Sequence, residues 1–174
     1  MLATVMPIGA LAAGSATLTV EASQSVVTVG ETITVNVQLS GDAQAYSLQA
    51  KLLYDAEKVE YVAGSAKITL VQDGSNATIN DGTAGEISVN TISTSGAVQN
   101  GSILEAQFTV RDAATGTIQF KLDDSFTELT AGLAEGFAEI PTNGISADVK
   151  IAVPATAIAI AQGSTATVER GQTK

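Results

Sequence analysis

Acidic side chains are the main candidates for chemistry in this sequence, because the chain contains neither histidine nor cysteine. Without these two residue types, the usual general base, the activated thiol nucleophile and the common zinc ligands are all missing. Asp123 and Asp124 form the only adjacent acidic pair. Neighbours on a strand point to opposite faces, so a catalytic pair would need a carboxylate from another segment. The sequence therefore predicts no catalytic centre and places this pair in a solvated turn.

Two polar turns contain oxygen ligands of the kind that calcium prefers, Asp73-Gly74-Ser75-Asn76 and Asn80-Asp81-Gly82. Neither completes the twelve-residue EF-hand pattern with its terminal glutamate. The chain also has no Gly-x-Ser-x-Gly elbow, phosphate-binding glycine loop or dinucleotide fingerprint. Turn chemistry is therefore the prediction for both segments, and no metal ion or cofactor is expected.

Composition narrows the function classes further. The 174 residues carry a formal net charge of −10, which disfavours binding to phosphate backbones, so nucleic acid is not an expected partner. No uninterrupted apolar run is long enough to span a bilayer, so no membrane insertion is expected. Aromatic residues make up 4% and tryptophan is absent. The core must therefore be built mainly from valine, isoleucine, leucine and alanine.

Alternation of polar and apolar residues predicts β-strands along most of the chain. Residues 32–39 alternate strictly, and the alternation resumes over residues 46–53 after a turn at Gly41-Asp42-Ala43-Gln44. About nine such segments, separated by frequent turn signals, predict an all-β, antiparallel two-sheet β-sandwich. The irregular stretch after residue 122 is predicted to include a short helix around residues 126–133. The predicted core is Val35, Val37, Leu48, Leu52, Val89, Leu104, Phe108 and Phe120.

Two segments resemble a known family. Ala45 to Val59 is a strand that ends in Tyr54-Asp55 and is followed by a short apolar return. Gly85–Asn90 and Gly101–Val110 form a strand, a variable loop, a glycine and a second strand. Over residues 17–152 these patterns resemble the cohesins, β-sandwich modules that bind dockerins in cellulosomes and on some bacterial surfaces. The resemblance implies a jelly-roll fold and a dockerin-type protein partner.

The resemblance also implies a binding surface, since dockerin docks on the outer face of one cohesin sheet. Gln49 stands where cellulosomal cohesins often carry an acidic residue, and Leu53 is the main apolar side chain of the set. A solvated sheet face with no partner is the alternative interpretation. Carried over to this chain, the partner-binding residues are Ser47, Gln49, Lys51, Leu53, Ser88, Asn90 and Glu139.

The chain divides into three parts by composition. Residues 1–16 are apolar and rich in small residues, which is typical of either a truncated export signal or a lead-in to the first strand. Residues 17–152 are the sandwich. Residues 153–174 resemble the first strands of a bacterial immunoglobulin-like repeat, with a linker as the alternative. An exported multidomain protein is the interpretation, with an extracellular or cell-surface location.

Three functions remain open from the sequence. The leading hypothesis is a non-catalytic module that recruits a dockerin-bearing partner, with polysaccharide association through the parent assembly. The second is a structural spacer or adhesin domain. The third is a carbohydrate-binding module, which usually stacks exposed aromatic rings on sugars. The absence of tryptophan and the presence of only three tyrosines disfavour this third function.

Overall fold

The computed structural model describes residues 14–42, 44–69, 76–93, 100–131 and 139–152, and these residues form an all-β fold. Their strands are β1 (Ala16–Ala22), β2 (Val26–Val27), β3 (Thr32–Gly41), β4 (Ala45–Tyr54), β5 (Val59–Tyr61), β6 (Asn76–Asn80), β7 (Glu86–Ile92), β8 (Gly101–Val110), β9 (Thr117–Leu122), β10 (Glu128–Ala131), β11 (Glu139–Ile140), β12 (Thr142–Ile145) and β13 (Ala147–Ile151). β-branched residues dominate β3, as expected for a strand with one buried face.

The first sheet, sheet A, has the strand order β12-β1-β3-β8-β5. Its long antiparallel pairs are β1 with β3 and β3 with β8. The edge strand β12 runs parallel to β1. This sheet therefore has its three long strands at the centre and short strands at both edges.

The second sheet, sheet B, is organised around β4. On one side β4 pairs with β7, which in turn pairs with β6. On its other side β4 pairs with two strands: β10 pairs with its first half, and β9 pairs with its last three residues. β11 continues beyond β10, whereas β13 and the parallel strand β2 continue beyond β9. β4 is thus the central strand of sheet B, and it carries four of the seven predicted binding residues.

One hydrophobic core lies between the two sheets. All eight residues predicted to form it are buried, and Phe108 and Phe120 are fully so. The Phe108 ring centroid lies 5.0 Å from that of Phe120 and 4.8 Å from that of Tyr54. Burying a phenylalanine stabilises a fold by roughly 1.5–3 kcal/mol. The aromatic contacts join sheet A to sheet B, because Phe108 belongs to β8 and the other two rings belong to β9 and β4.

The all-β sandwich prediction is confirmed, with three differences in detail. The described residues contain thirteen strands instead of about nine, since several edge strands have only two to four residues. Two edge pairs are parallel in an otherwise antiparallel structure. The helix predicted around residues 126–133 is wrong over residues 126–131, since 126 and 127 end a turn and 128–131 form β10, which pairs with β4. The predicted turn at 73–75, the first thirteen residues and the segment 153–174 lie outside the described residues.

Candidate binding face

The surface of sheet B that points away from sheet A, which we call the outer face, carries all seven sequence-predicted partner-binding residues. Strand register brings them together, because side chains of equal parity on paired strands align across a sheet. They lie in four rows: Ile92, Ser47, Thr130 and Glu139; Asn90, Gln49 and Glu128; Ser88 and Lys51; and Glu86, Leu53 and Lys121. The structure therefore places the predicted set on one surface, while their role in binding stays a prediction.

The first two rows form the open part of this surface. They surround a shallow depression of about 230 Å³ lined by residues of β4, β7 and β10. Ile92 borders it and is 58% exposed, although it is a large apolar residue. Asn90 is also exposed. On the opposite wall, the Gln49 Nε2 donates a 3.1 Å hydrogen bond to Glu128 Oε2. The depression thus combines an apolar edge with amide and carboxylate groups.

The third row is largely covered, which corrects part of the sequence prediction. The Lys51 Nζ lies 3.0 Å from Glu86 Oε2 and 4.7 Å from the centroid of the Phe126 ring, and its side chain is only 19% exposed. Ser88 is buried, with 9% of its surface exposed. The sequence predicts both on an exposed patch. A cation that already has a carboxylate and a ring as neighbours has less of its charge available to a partner.

A turn from Asp123 to Thr127 produces this cover. The Asp123 amide donates to the Lys51 carbonyl (2.9 Å), and the Thr127 amide donates back to the Asp123 carbonyl (2.9 Å). The Ser125 hydroxyl donates a 2.6 Å hydrogen bond to Asp123 Oδ1 and lowers the pKa of that carboxyl. The turn is therefore fastened to β4 at the position of Lys51. It also explains Asp123 as a turn-forming residue, in agreement with the sequence interpretation.

The second polar turn noted in the sequence, Asn80-Asp81-Gly82, is held by side-chain hydrogen bonds. The Asn80 Oδ1 accepts a hydrogen bond from the Gly82 amide (3.3 Å), and the Tyr61 hydroxyl donates to Asp81 Oδ2 (2.8 Å). The Asn80-Asp81-Gly82 turn therefore fastens a loop.

Among the described residues, no three acidic side chains lie close enough together to hold a metal ion. Within the same residues, no helix is long and apolar enough to span a membrane.

Sequence reasoning missed three features of the outer face: Ile92, Glu128 and the Phe126 turn. Ile92 had a usable signal, since it continues the outward parity of Ser88 and Asn90 by one more step. No local sequence pattern places Glu128 on the outer face, because it reaches this face through the pairing of β10 with β4, which are far apart in sequence. The Phe126 ring likewise depends on a distant turn.

The comparisons with known proteins agree with this geometry. The family model for the cohesin domain matches residues 16–146. No curated protein matches the chain. Among solved structures, the sixth cohesin of scaffoldin B from Acetivibrio cellulolyticus, in complex with a mutant Cel5 dockerin, is 19% identical with a TM-score of 0.63, covering 79% of this chain and 99% of that one.

Two further solved structures extend the likeness to other organisms. The seventh ScaB type I cohesin from Pseudobacteroides cellulosolvens is 17% identical with a TM-score of 0.63, and covers 84% of this chain and 99% of its own. A non-cellulosomal cohesin from the archaeon Archaeoglobus fulgidus is 17% identical with a TM-score of 0.62, covering 81% and 94%. At such identities the structures show a shared fold. Together with the family model, which spans most of the sequence, they establish that this chain belongs to the cohesin family.

Proposed function

We propose that this domain is a non-catalytic binding module that recruits a dockerin-type partner through the outer face of sheet B. Cohesin domains are binding modules without catalysis, and the chain belongs to that family. Two of the similar solved structures are named as complexes of a cohesin with a dockerin. An extracellular or cell-surface location belongs to the same proposal.

The observation that carries the proposal is the alignment of the outer-face rows. The polar side chains of β4, β7, β10 and β11 form a continuous surface across four strands. The interior of the sandwich is filled by a hydrophobic core and offers no comparable site among the described residues. A broad, polar sheet surface with one exposed apolar residue is suited to contact another protein, because such interfaces combine a few apolar anchors with a polar rim.

A pair of glutamines on opposite sheets provides the test. Gln49 is half-buried on the outer face of sheet B, and Gln38 is half-buried on the outward side of sheet A. We expect Gln49→Arg to lower the affinity for dockerin at least tenfold, because it places a bulky charge inside the contact. Gln38→Arg should leave affinity unchanged. Isothermal titration calorimetry against a panel of dockerins measures both variants.

Thermal melts of the same variants provide the control, since each should change stability by only about 0.5 kcal/mol. If both variants bind dockerin as tightly as the wild-type domain does, the interface does not lie on the outer face of sheet B. A wild-type domain that binds no dockerin of the panel would contradict the proposal and favour the structural-spacer function instead.

A further inference from the structure

The outer face is divided into two halves of different character. In the covered half, Lys51 is held between Glu86 and Phe126, and Ser88 is buried beside it. In the open half, Ile92 and Asn90 of β7 are exposed along one side of the shallow depression. A partner gains little binding energy from side chains that already have close neighbours in the free domain. Most binding energy comes from pockets and side chains that lose their water when the partner binds.

Ile92 is unusual for its position on the surface. Only three large apolar residues of the described chain are substantially exposed: Val26, Val29 and Ile92. Val26 lies on β2, at the far edge of sheet B, and Val29 lies in the turn that follows it. Ile92 is the one that faces the depression, next to Ser47 on β4. An exposed isoleucine beside a concave, partly polar surface has the composition of an interface anchor.

Acidic groups lie in and beside the same depression. Glu128 lines it, and its carboxylate accepts a hydrogen bond from Gln49. Glu139 is exposed at the end of the first row. Within the described residues, neither carboxylate has a lysine or arginine within 4.0 Å. The chain as a whole carries a net charge of −10. Charge complementarity therefore favours a cationic group from the partner at these carboxylates.

We infer that the Ile92 depression is the centre of partner recognition, and that the dockerin surface it fits presents an aliphatic side chain to Ile92 and a lysine or arginine to Glu128. This inference rests on the proposed function and specifies its chemistry. The covered half then positions the face and contributes little to affinity. The two anchors lie in adjacent rows of sheet B, so neighbouring side chains of one partner segment can reach both.

Matched variants separate the anchors from general surface effects. Ile92→Ala and Val26→Ala remove similar apolar side chains of similar exposure, 58% and 53%. We expect the first to weaken binding at least tenfold and the second less than twofold. Glu128→Gln removes a charge that lines the depression, and Glu21→Gln removes an exposed charge on sheet A. We expect only Glu128→Gln to weaken binding several-fold and to reduce its dependence on salt.

Ser88→Ala tests the covered half, and we expect it to change the affinity for dockerin less than twofold. Calorimetry measures all variants with one dockerin that the wild-type domain binds, and thermal melts identify any variant whose fold is altered. For such a variant at position 92, Ile92→Val provides the smaller truncation and should still weaken binding. If Ile92→Ala and Glu128→Gln bind like the wild type, this inference is wrong while the proposed function stands. If the wild type binds no dockerin, both are wrong.

Discussion

At the scale of single residues, Tyr61 connects three parts of the fold. Its hydroxyl donates to Asp81 in the turn before β7 and accepts a 3.0 Å hydrogen bond from the Ala66 amide. Its ring centroid lies 5.9 Å from that of Phe108 in the core. Burial of the phenol, together with the hydrogen bond to the Asp81 carboxylate, raises the pKa of Tyr61 above its ordinary value of 10.0. The neutral phenol is thus the form that the folded state favours.

Tyr61→Phe tests this residue through pH. Losing the hydroxyl leaves the Ala66 amide without its acceptor and should cost about 1 kcal/mol at neutral pH. In the wild type, the raised folded-state pKa gives stability that is complete below about pH 10 and is lost as pH rises through the folded-state pKa. The free energy of unfolding of Tyr61→Phe should therefore fall less than that of the wild type as the pH rises through this range. Urea unfolding at about pH 7 and between about pH 9 and 11 measures both effects, and parallel pH profiles for the two proteins would contradict the assignment.

At the scale of elements, the pairing of β1 with β3 depends on how β3 ends. The pair extends from Ala22 opposite Val35 to Ala16 opposite Gly41. Gly41 has a φ of +135°, and its carbonyl accepts a 2.8 Å hydrogen bond from the Asn100 side chain. A Cβ at this position would collide with the Ser15 carbonyl oxygen. The close approach of the two strands therefore needs a residue without a side chain.

Gly41→Ala should destabilise the fold by roughly 1–3 kcal/mol, because it combines a strained backbone with a backbone collision. Gly30→Ala is the matched control. Gly30 also has a positive φ, +81°, but a Cβ added there would have no neighbouring atom within 4 Å, so only the backbone preference is lost. The free energies of unfolding from urea titrations should differ between the two variants. Equal costs would show that the Ser15 contact does not limit the strand pair.

The elements also show how far sequence reasoning extends. The strands β3, β4 and β8 are predictable, because each alternates between a buried and a partly exposed side chain over most of its length. The alternation also assigns the correct face to Ser47, Gln49 and Asn90. Register across strands and the position of distant turns cannot be read from such a pattern. β10 has only four residues, Glu-Leu-Thr-Ala, so its alternation is too short to distinguish a strand from a helix, and its pairing with β4 decides its structure.

The same limit explains the outcome for the candidate surface. Residues on one strand with one parity share a face, but their exposure depends on what other elements bring to it. Gln49 and Lys51 are equivalent by pattern, yet only Lys51 has the Phe126 ring over it. A turn fastened at Asp123, far later in the chain, makes that difference. Local pattern therefore predicts which residues share the outer face, and tertiary contacts decide which half of that face is open.

At the scale of the whole molecule, the outer face is supported by a core that the two sheets share. Phe108 reaches the core from β8 of sheet A, and Phe120 reaches it from β9 of sheet B. Both are fully buried. Their rings are inclined at 52° to each other, within the range of favourable tilted aromatic contacts. Since β9 pairs directly with β4, the position of β4, the central strand of the outer face, depends on this contact.

A double-mutant cycle on these two rings tests whether the sheets form one cooperative unit. Phe108→Ala and Phe120→Ala should each cost roughly 3–5 kcal/mol, because each leaves a cavity between the sheets. Their combined effect should differ from the sum by about 0.5–1.5 kcal/mol, since each variant removes the same ring contact. Phe108→Leu and Phe120→Leu, which leave smaller cavities, keep the cycle measurable if an alanine variant does not fold. Urea unfolding followed by far-ultraviolet circular dichroism and by tyrosine fluorescence should give coincident transitions for every variant. Separate transitions would mean that the two sheets unfold independently. Strictly additive costs would mean that the two rings do not stabilise each other and that the outer face does not depend on this contact.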